Sequence, residues 1–306
     1  LTAHRWLVAL VLAVPVAIGP AVAETACDGP LTLQVLGSGG PIIDDERASS
    51  SYLIRIDGRP RLLVDAGTGS AATLGRLRVD PSALDAIALT HLHTDHAGDL
   101  PAIVKSGYFS DRRSAMPLIG PDGNDRFPGL EAFVQALFSR RQGAFRYLHD
   151  LLDGSNGRFR LDRIEIDHRE SVPASVFDRD DLSLSAVGVR HGPVPALGYR
   201  VRAGDRTIAF SGDQNDDNPA FATMIRDVDL LVMNLAIPEN AGRAARNLHA
   251  SPSGIGRLAA EAGVRRLLLS HLMQRSLEHI DASLARIRAH YKGPIDVAID
   301  GACYAP

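Results

Sequence analysis

The chain is poor in cysteine, in net charge and in long apolar runs, and each shortage excludes a class of protein. Only two cysteines occur in 306 residues, Cys27 and Cys303. Neither has the spacing of a thiolate metal site. The formal net charge is −3, from 33 basic and 36 acidic side chains, which provides no general attraction to nucleic acid or to an anionic membrane. No internal repeat or low-complexity linker interrupts the sequence. With 45% hydrophobic and 23% charged residues, the composition excludes a disordered chain or a coiled coil.

The longest apolar run lies near the N-terminus. His4 and Arg5 precede the stretch Trp6 to Ile18, and Ala21-Val22-Ala23 follows before Glu24. The run is shorter than the ~20 residues of a spanning helix, and Pro15 interrupts it. A cationic start, a short apolar stretch and a small-residue end read as a secretory signal peptide cleaved after Ala23. The expectation is a leader over 1–23 and one mature domain over 24–306, periplasmic or secreted and free of the membrane once processed. In an oxidising compartment Cys27 and Cys303 are candidates for a disulfide between the two ends of the mature chain, with two unrelated thiols as the alternative.

Strand-like segments open the mature chain at Leu31 to Leu36, Ser51 to Ile56 and Arg61 to Val64, each bounded by Gly, Pro or Asp. A helix is expected near Ser70 to Leu77, then a strand from Ala86 to Leu89, helical pattern from Gly98 to Ser106, and a short strand over Pro117 to Ile119. Residues 124–157 read as a helical insert, because Phe127, Leu130, Phe133, Val134, Leu137 and Phe138 recur near a 3–4 spacing. Strands resume at Phe159 to Ile166, Leu182 to Val189, Gly198 to Val201 and Thr207 to Phe210. Thereafter helices from Pro219, Ser253 to Ala262 and Leu277 to His290 alternate with strands Leu230 to Met233, Arg266 to Leu269 and Ile295 to Ala298. A meander followed by alternation points to an α/β domain of two mixed sheets packed face to face, with helices outside.

The segment Thr90-His91-Leu92-His93-Thr94-Asp95-His96-Ala97-Gly98-Asp99 follows directly on an apolar strand. Its imidazoles and carboxylates are ligands for zinc and similar divalent ions. A pair of ions needs more donors than one loop supplies. His191, Asp213 and His271 each follow a strand-like run and are the candidates. Asp99 reads as the cap of the helix after it.

His91-x-His93-x-Asp95-His96, with His191, Asp213 and His271 in that order, resembles the metallo-β-lactamase superfamily over about Leu31 to Asp300. The resemblance implies an αββα sandwich in which His91, His93 and His191 hold one metal, Asp95, His96 and His271 the second, and Asp213 bridges them. It implies two divalent ions, Zn2+ by default with Mn2+ or Fe2+ as alternatives, and a catalytic Asp95 that orients the attacking water or takes its proton.

Leu36-Gly37-Ser38-Gly39-Gly40-Pro41, with Arg47 and Ser49 to Ser51, resembles the opening motif of the ribonuclease Z-like branch. Asn247-Leu248-His249-Ala250-Ser251 resembles that branch's later histidine motif, which implies His249 as general acid. Where that branch carries a Glu supporting the histidine, this chain has Asn234, which cannot exchange a proton. It also lacks a Gly-Pro-rich basic arm for transfer RNA. Nucleic acid is therefore not the expected partner, and the basic residues between Arg140 and Arg163 lack the interleaved aromatics of a stacking surface. Arg243 and Arg246 are candidate contacts for a small anionic substrate.

The expected function is metal-dependent hydrolysis of phosphodiesters or small anionic esters, ribonuclease Z-like without transfer-RNA processing. The alternatives are a carboxylic ester, lactone or sulfate ester on the same metal pair, and a non-enzymatic metal sensor or structural protein. A homodimer is left open.

Overall fold

The computed structural model describes residues 27–155 and 157–306, so the leader expected over 1–23 lies outside the described residues. The first sheet runs through β1 (Thr32–Gly37), β2 (Ser51–Ile56), β3 (Arg59–Val64), β4 (Ala86–Ala88), β5 (Met116–Pro121) and β6 (Leu161–Ile166). The second contains β7 (Ala174–Arg179), β8 (Leu182–His191), β9 (Val194–Ala203), β10 (Arg206–Phe210), β11 (Leu230–Asn234), β12 (Arg266–Ser270) and β13 (Ile295–Val297). A last short strand, β14 (Cys303–Tyr304), returns to the first sheet beside β1. The strand orders are β14-β1-β2-β3-β4-β5-β6 and β13-β12-β11-β10-β9-β8-β7. Each sheet has an antiparallel half, and parallel pairing from β3 to β6 and from β10 to β13.

Helices cover both outer faces. α1 (Ser70–Arg76), α2 (Thr94–Ala97), α3 (Leu100–Tyr108) and α4 (Leu130–Phe138) belong to the first half of the chain. α5 (Pro219–Met224), α6 (Arg243–Leu248), α7 (Pro252–Glu261), α8 (Gln274–Leu277) and α9 (Ile280–His290) belong to the second. Strand alternation sorts the side chains. Leu33, Val35, Tyr52 and Ile54 turn inward to meet Leu184, Ala186, Tyr199, Phe210 and Val232 of the other sheet. Leu36, Leu53 and Leu63 point outward into a core shared with α1, α3 and α4. Val187, Ala209, Leu231 and Leu269 do the same for the second sheet, against α5, α7 and α9. Full burial of each such Leu, Ile or Val contributes about 1.5–3 kcal/mol. The result is the expected αββα sandwich.

Three local readings change. Among its described residues the region 124–157 is helical at α4 and at the 3-10 segment Arg146–Leu152 alone, because Pro128-Gly129 precedes α4 and Gly143 punctuates the chain after it. β7 is an additional strand, with an edge position and a largely exposed, polar face that hide its alternation. The helix expected over Leu277 to His290 divides into α8 and α9.

Asp99 caps a different helix from the expected one. Its carboxylate accepts the backbone N–H groups of Gly69 and Ala71, each at 2.9 Å, at the start of α1, and makes no side-chain cap on α3. Asp99→Ala should therefore lower unfolding free energy by about 1 kcal/mol, read from urea melts, whereas an unchanged midpoint would remove the cap assignment.

Cys27 and Cys303 are bonded, with Cα atoms 5.5 Å apart across a sequence separation of 276. The bond lies beside β14, where Cys303 pairs with Gln34 of β1. Replacing both cysteines by serine should cost about 2–4 kcal/mol of stability. If a reductant leaves the wild-type melt in place, the bridge contributes nothing to it.

Candidate metal centre

The candidate ligands stand at strand ends on one rim. β4 runs through Leu89-Thr90 into His91 and His93, and the single turn α2 carries Asp95 and His96. β8 ends on His191, β10 is followed by Asp213, and β12 by His271. The carboxyl ends of parallel strands open onto a shared crevice, and these residues fill it. His91, His96 and His271 are fully buried; Asp95, His191 and Asp213 are nearly so.

The donor atoms converge in two groups. His91, His93 and His191 form one, and Asp95, His96 and His271 another, with all donor atoms of a group within 4.8 Å. Asp213 faces both. Its Oδ1 lies 3.3 Å from His271 Nε2 and 3.6 Å from His96 Nε2, while its Oδ2 lies 3.6 Å from His191 Nε2. In the first group His91 Nε2 and His93 Nδ1 approach to 3.0 Å. In the second His271 Nε2 is 3.1 Å from Asp95 Oδ2.

Outer hydrogen bonds set which ring nitrogen points inward. His191 Nδ1–H donates to the Leu248 carbonyl at 2.9 Å, which leaves its Nε2 lone pair free. His96 Nδ1–H donates to Asp65 at 2.8 Å, and Asp65 in turn accepts the N–H and hydroxyl of Thr90 at 2.7 and 2.9 Å. His91 Nδ1 rests 3.2 Å from the Thr90 hydroxyl. Carboxylates and carbonyls holding the far nitrogen of a histidine are the usual second layer of a metal site.

His271 and Asp65 both adopt left-handed backbone, at φ 53° and 60°, a conformation that non-glycine residues keep where the surrounding structure enforces it. The Gly-rich motif accounts for part of that enforcement. Gly40 N–H donates to Leu272 at 3.0 Å, and Leu272 N–H donates to Ser38 at 2.8 Å. A Cβ on Gly40 would lie 2.9 Å from the His271 ring, so this stretch of Leu36–Pro41 is the seat of the last ligand candidate.

The electrostatics of the metal-free cluster follow from burial and crowding. Burial alone would lower His96, but Asp65, Asp95 and Asp213 outweigh it and raise its pKa to about 10. Burial would raise Asp95, and the His96 and His271 rings bring it down to about 2. Asp213 is likewise opposed by burial yet held well below the carboxylate range by its histidine neighbours. Burial, with His96 beside it, keeps His91 well below the usual histidine value.

This donor set fits divalent cations. The inward nitrogen–nitrogen and nitrogen–oxygen separations of 3.0–3.6 Å match the roughly 3.3 Å edge expected of a tetrahedral set of nitrogen and oxygen ligands. His96 Nε2, which faces the Asp95 and Asp213 carboxylates, is buried without a hydrogen-bond partner, as a nitrogen kept for a cation would be. Imidazole with carboxylate suits zinc, and also manganese or iron. A cation entering here displaces the His96 proton.

His249 lies at the mouth, at the end of α6, with Nδ1 3.7 Å from Asp213 Oδ2. Burial, with His271, His191 and Arg275 close by, lowers its pKa to about 4 despite Asp213. Asn234 does not stand in for a relay carboxylate: its amide donates to Asp213 Oδ1 and so orients that residue. The two expected anion contacts lie elsewhere. Arg243 and Arg246 border a separate shallow depression with Asn215 and Asn247, and the Arg246 guanidinium donates to the carbonyls of Ala241 and Glu239. The arginine lining the metal pocket is Arg275, alongside Pro41, Leu92 and Met273. Its Nε donates to Ala236 at 3.0 Å. Sequence offered no signal for it, because it lies four residues beyond His271 on a short helix with no motif of its own.

Comparison with known proteins agrees with this geometry. The family model described as beta-lactamase superfamily domain matches residues 60–272. A ribonuclease Z of Mycolicibacterium paratuberculosis is 30% identical over 252 residues, covering 79% of this chain and 85% of that protein. The metallo-beta-lactamase fold protein YhfI from Bacillus subtilis superposes with a TM-score of 0.70 at 22% identity, over 90% of this chain and 100% of its own. Human tRNase Z, short form, superposes at 0.67 and 19% identity, over 90% and 98%. The two structures share the fold, and the sequence match carries the kinship: the chain belongs to the metallo-β-lactamase superfamily, as a distant homologue of ribonuclease Z.

Proposed function

We propose that the protein is a binuclear metal-dependent hydrolase of phosphodiesters or related small anionic esters. The observation that carries this reading is Asp213, whose two carboxylate oxygens face the two donor groups separately. In this reading His91, His93 and His191 would hold one ion and Asp95, His96 and His271 the second, with Asp213 available to both. Two such ions, zinc by default, supply when bound a nucleophilic water at neutral pH and a Lewis acid for the ester oxygen.

The remaining work belongs to side chains. Asp95, ionised and buried, orients the attacking water. His249 stands at the open side of Asp213, placed to protonate the leaving oxygen. Arg275 supplies a fixed positive charge at the same mouth. Kinship with ribonuclease Z supports phosphodiesters as the substrate class. Asn234 bound to Asp213, and the absence of a basic docking arm, favour small substrates over transfer RNA. Export follows from the leader-like residues 1–23, and the Cys27–Cys303 bond supports an oxidising compartment.

Metal analysis of reconstituted protein should find about two divalent ions per chain, and a chelator should abolish hydrolysis of bis-p-nitrophenyl phosphate. Reconstitution to one ion with full activity would overturn the binuclear assignment. In the same assay His249→Ala should lower kcat by about 10²–10⁴-fold at unchanged metal content, and Asp95→Ala should lose activity together with metal. Turnover of p-nitrophenyl acetate or an aliphatic lactone that survives His249→Ala, with none of the phosphodiester, would move the protein to carboxylic ester chemistry.

A further inference from the structure

Beside the metal pocket a second cavity of about 480 Å³ opens between α3 and α4. Its walls are Leu92, Pro101, Phe133, Leu137, Phe145 and Tyr147. Leu92 and Thr94, on either side of His93, line both cavities, so the apolar space begins where the candidate ligands end. Lys105 closes the far side, its Nζ 4.6 Å from the Tyr108 ring, 4.4 Å from Phe109 and 5.2 Å from Tyr147. Phe133, Leu137 and Phe145 are packed against the core below and only partly buried, and Tyr147 is 60% exposed. Side chains of this kind left open to water cost free energy that an apolar occupant recovers.

We propose that this cavity is a substrate subsite that takes the apolar arm, aryl or alkyl, of an ester whose scissile group sits at the metal centre. The inference rests on the hydrolase reading and narrows it to esters with one hydrophobic arm. Continuity through Leu92 and Thr94 selects the substrate as occupant, and a volume of about 480 Å³ leaves room for a chain or ring system beyond the reacting group. Specificity is then carried by α4 and the segment Arg146–Leu152, while the donors at the strand ends carry the chemistry.

The test has two arms, on the metal-loaded and the metal-free full chain. With zinc-loaded protein, kcat/KM for octyl p-nitrophenyl phosphate should exceed that for methyl p-nitrophenyl phosphate by about tenfold or more. The ratio should fall toward one in Leu137→Glu and in Tyr147→Ser, the second a largely exposed position chosen to keep the fold intact. With metal-free protein, 1-anilinonaphthalene-8-sulfonate should bind with a fluorescence rise, and both variants should weaken that binding about tenfold. A chain-length ratio and a dye affinity that neither variant changes overturn the subsite. So does a dimer, seen by light scattering, that Leu137→Glu disperses and that excludes the dye, because the groove would then belong to a second copy. Dye binding that depends on these residues, with no turnover of any ester, supports the cavity as a ligand site and refutes the hydrolase reading alone.

Discussion

Asp65 sits where β3 ends and holds the ligand loop in place. Its buried carboxylate accepts three hydrogen bonds, from the Thr90 amide, the Thr90 hydroxyl and His96 Nδ1. Those bonds position the turn that leads to His91 and fix the tautomer of His96. Burial raises the pKa of Asp65 against the pull of His96, so the carboxylate gains from every donor aimed at it. Losing it would leave the Thr90 and His96 donors unpaired in a dry site, where each unmade bond costs about 1–3 kcal/mol. The left-handed backbone at Asp65 is the strain accepted to aim that carboxylate at the loop.

The rim is also a seam between the sheets. Tyr199 of β9 donates its hydroxyl to the Leu89 carbonyl at 2.8 Å, and Leu197 N–H donates to Thr90 at 2.8 Å. Tyr52 of β2 donates to Ser270, the residue before His271, at 2.8 Å. Each tie crosses from one sheet to the other immediately behind a candidate ligand. A ligand set contributed by both sheets can keep sub-ångström registry only if the sheets cannot slide, and these buried polar contacts within an apolar interface resist sliding.

Most of the sheet strands, β7 and β14 excepted, and the seven residues whose donors converge were legible because they depend on local pattern. Apolar runs bounded by turn residues mark β1, β2, β8 and β12, and histidine or aspartate directly after such a run marks a strand end. What stayed hidden depends on three-dimensional neighbours. β7 is a polar edge strand with no alternation to read, and its pairing partner rather than its composition makes it a strand. Asp99 precedes α3 in sequence but caps α1 in space. Arg275 enters the mouth through the placement of α8, and Arg243 and Arg246, close to His249 along the chain, are turned away by the course of α6. The Gly-rich motif was recognisable as a motif, but its service as the seat of His271 appears only when Gly40 is seen against that ring.

This division has a physical basis. The donors stand on strand termini fixed by the two sheets, where a displacement of one residue would break hydrogen bonds on several neighbours, so their chemistry tolerates little change. The mouth is built from the short helices α6 and α8, which bury little of themselves: α6 has no buried residue and α8 only Ser276. Such segments can be rebuilt without disturbing Asp65, Thr90 or the seam. Asn234 shows the boundary between the two regimes. It ends strand β11, within the rigid set, and its amide spends itself on Asp213. A carboxylate there would face Asp213 across a hydrogen-bond distance, adding a third buried negative charge beside Asp95 and Asp213. An amide donates instead, and so holds the Asp213 carboxylate in one orientation between the two donor groups.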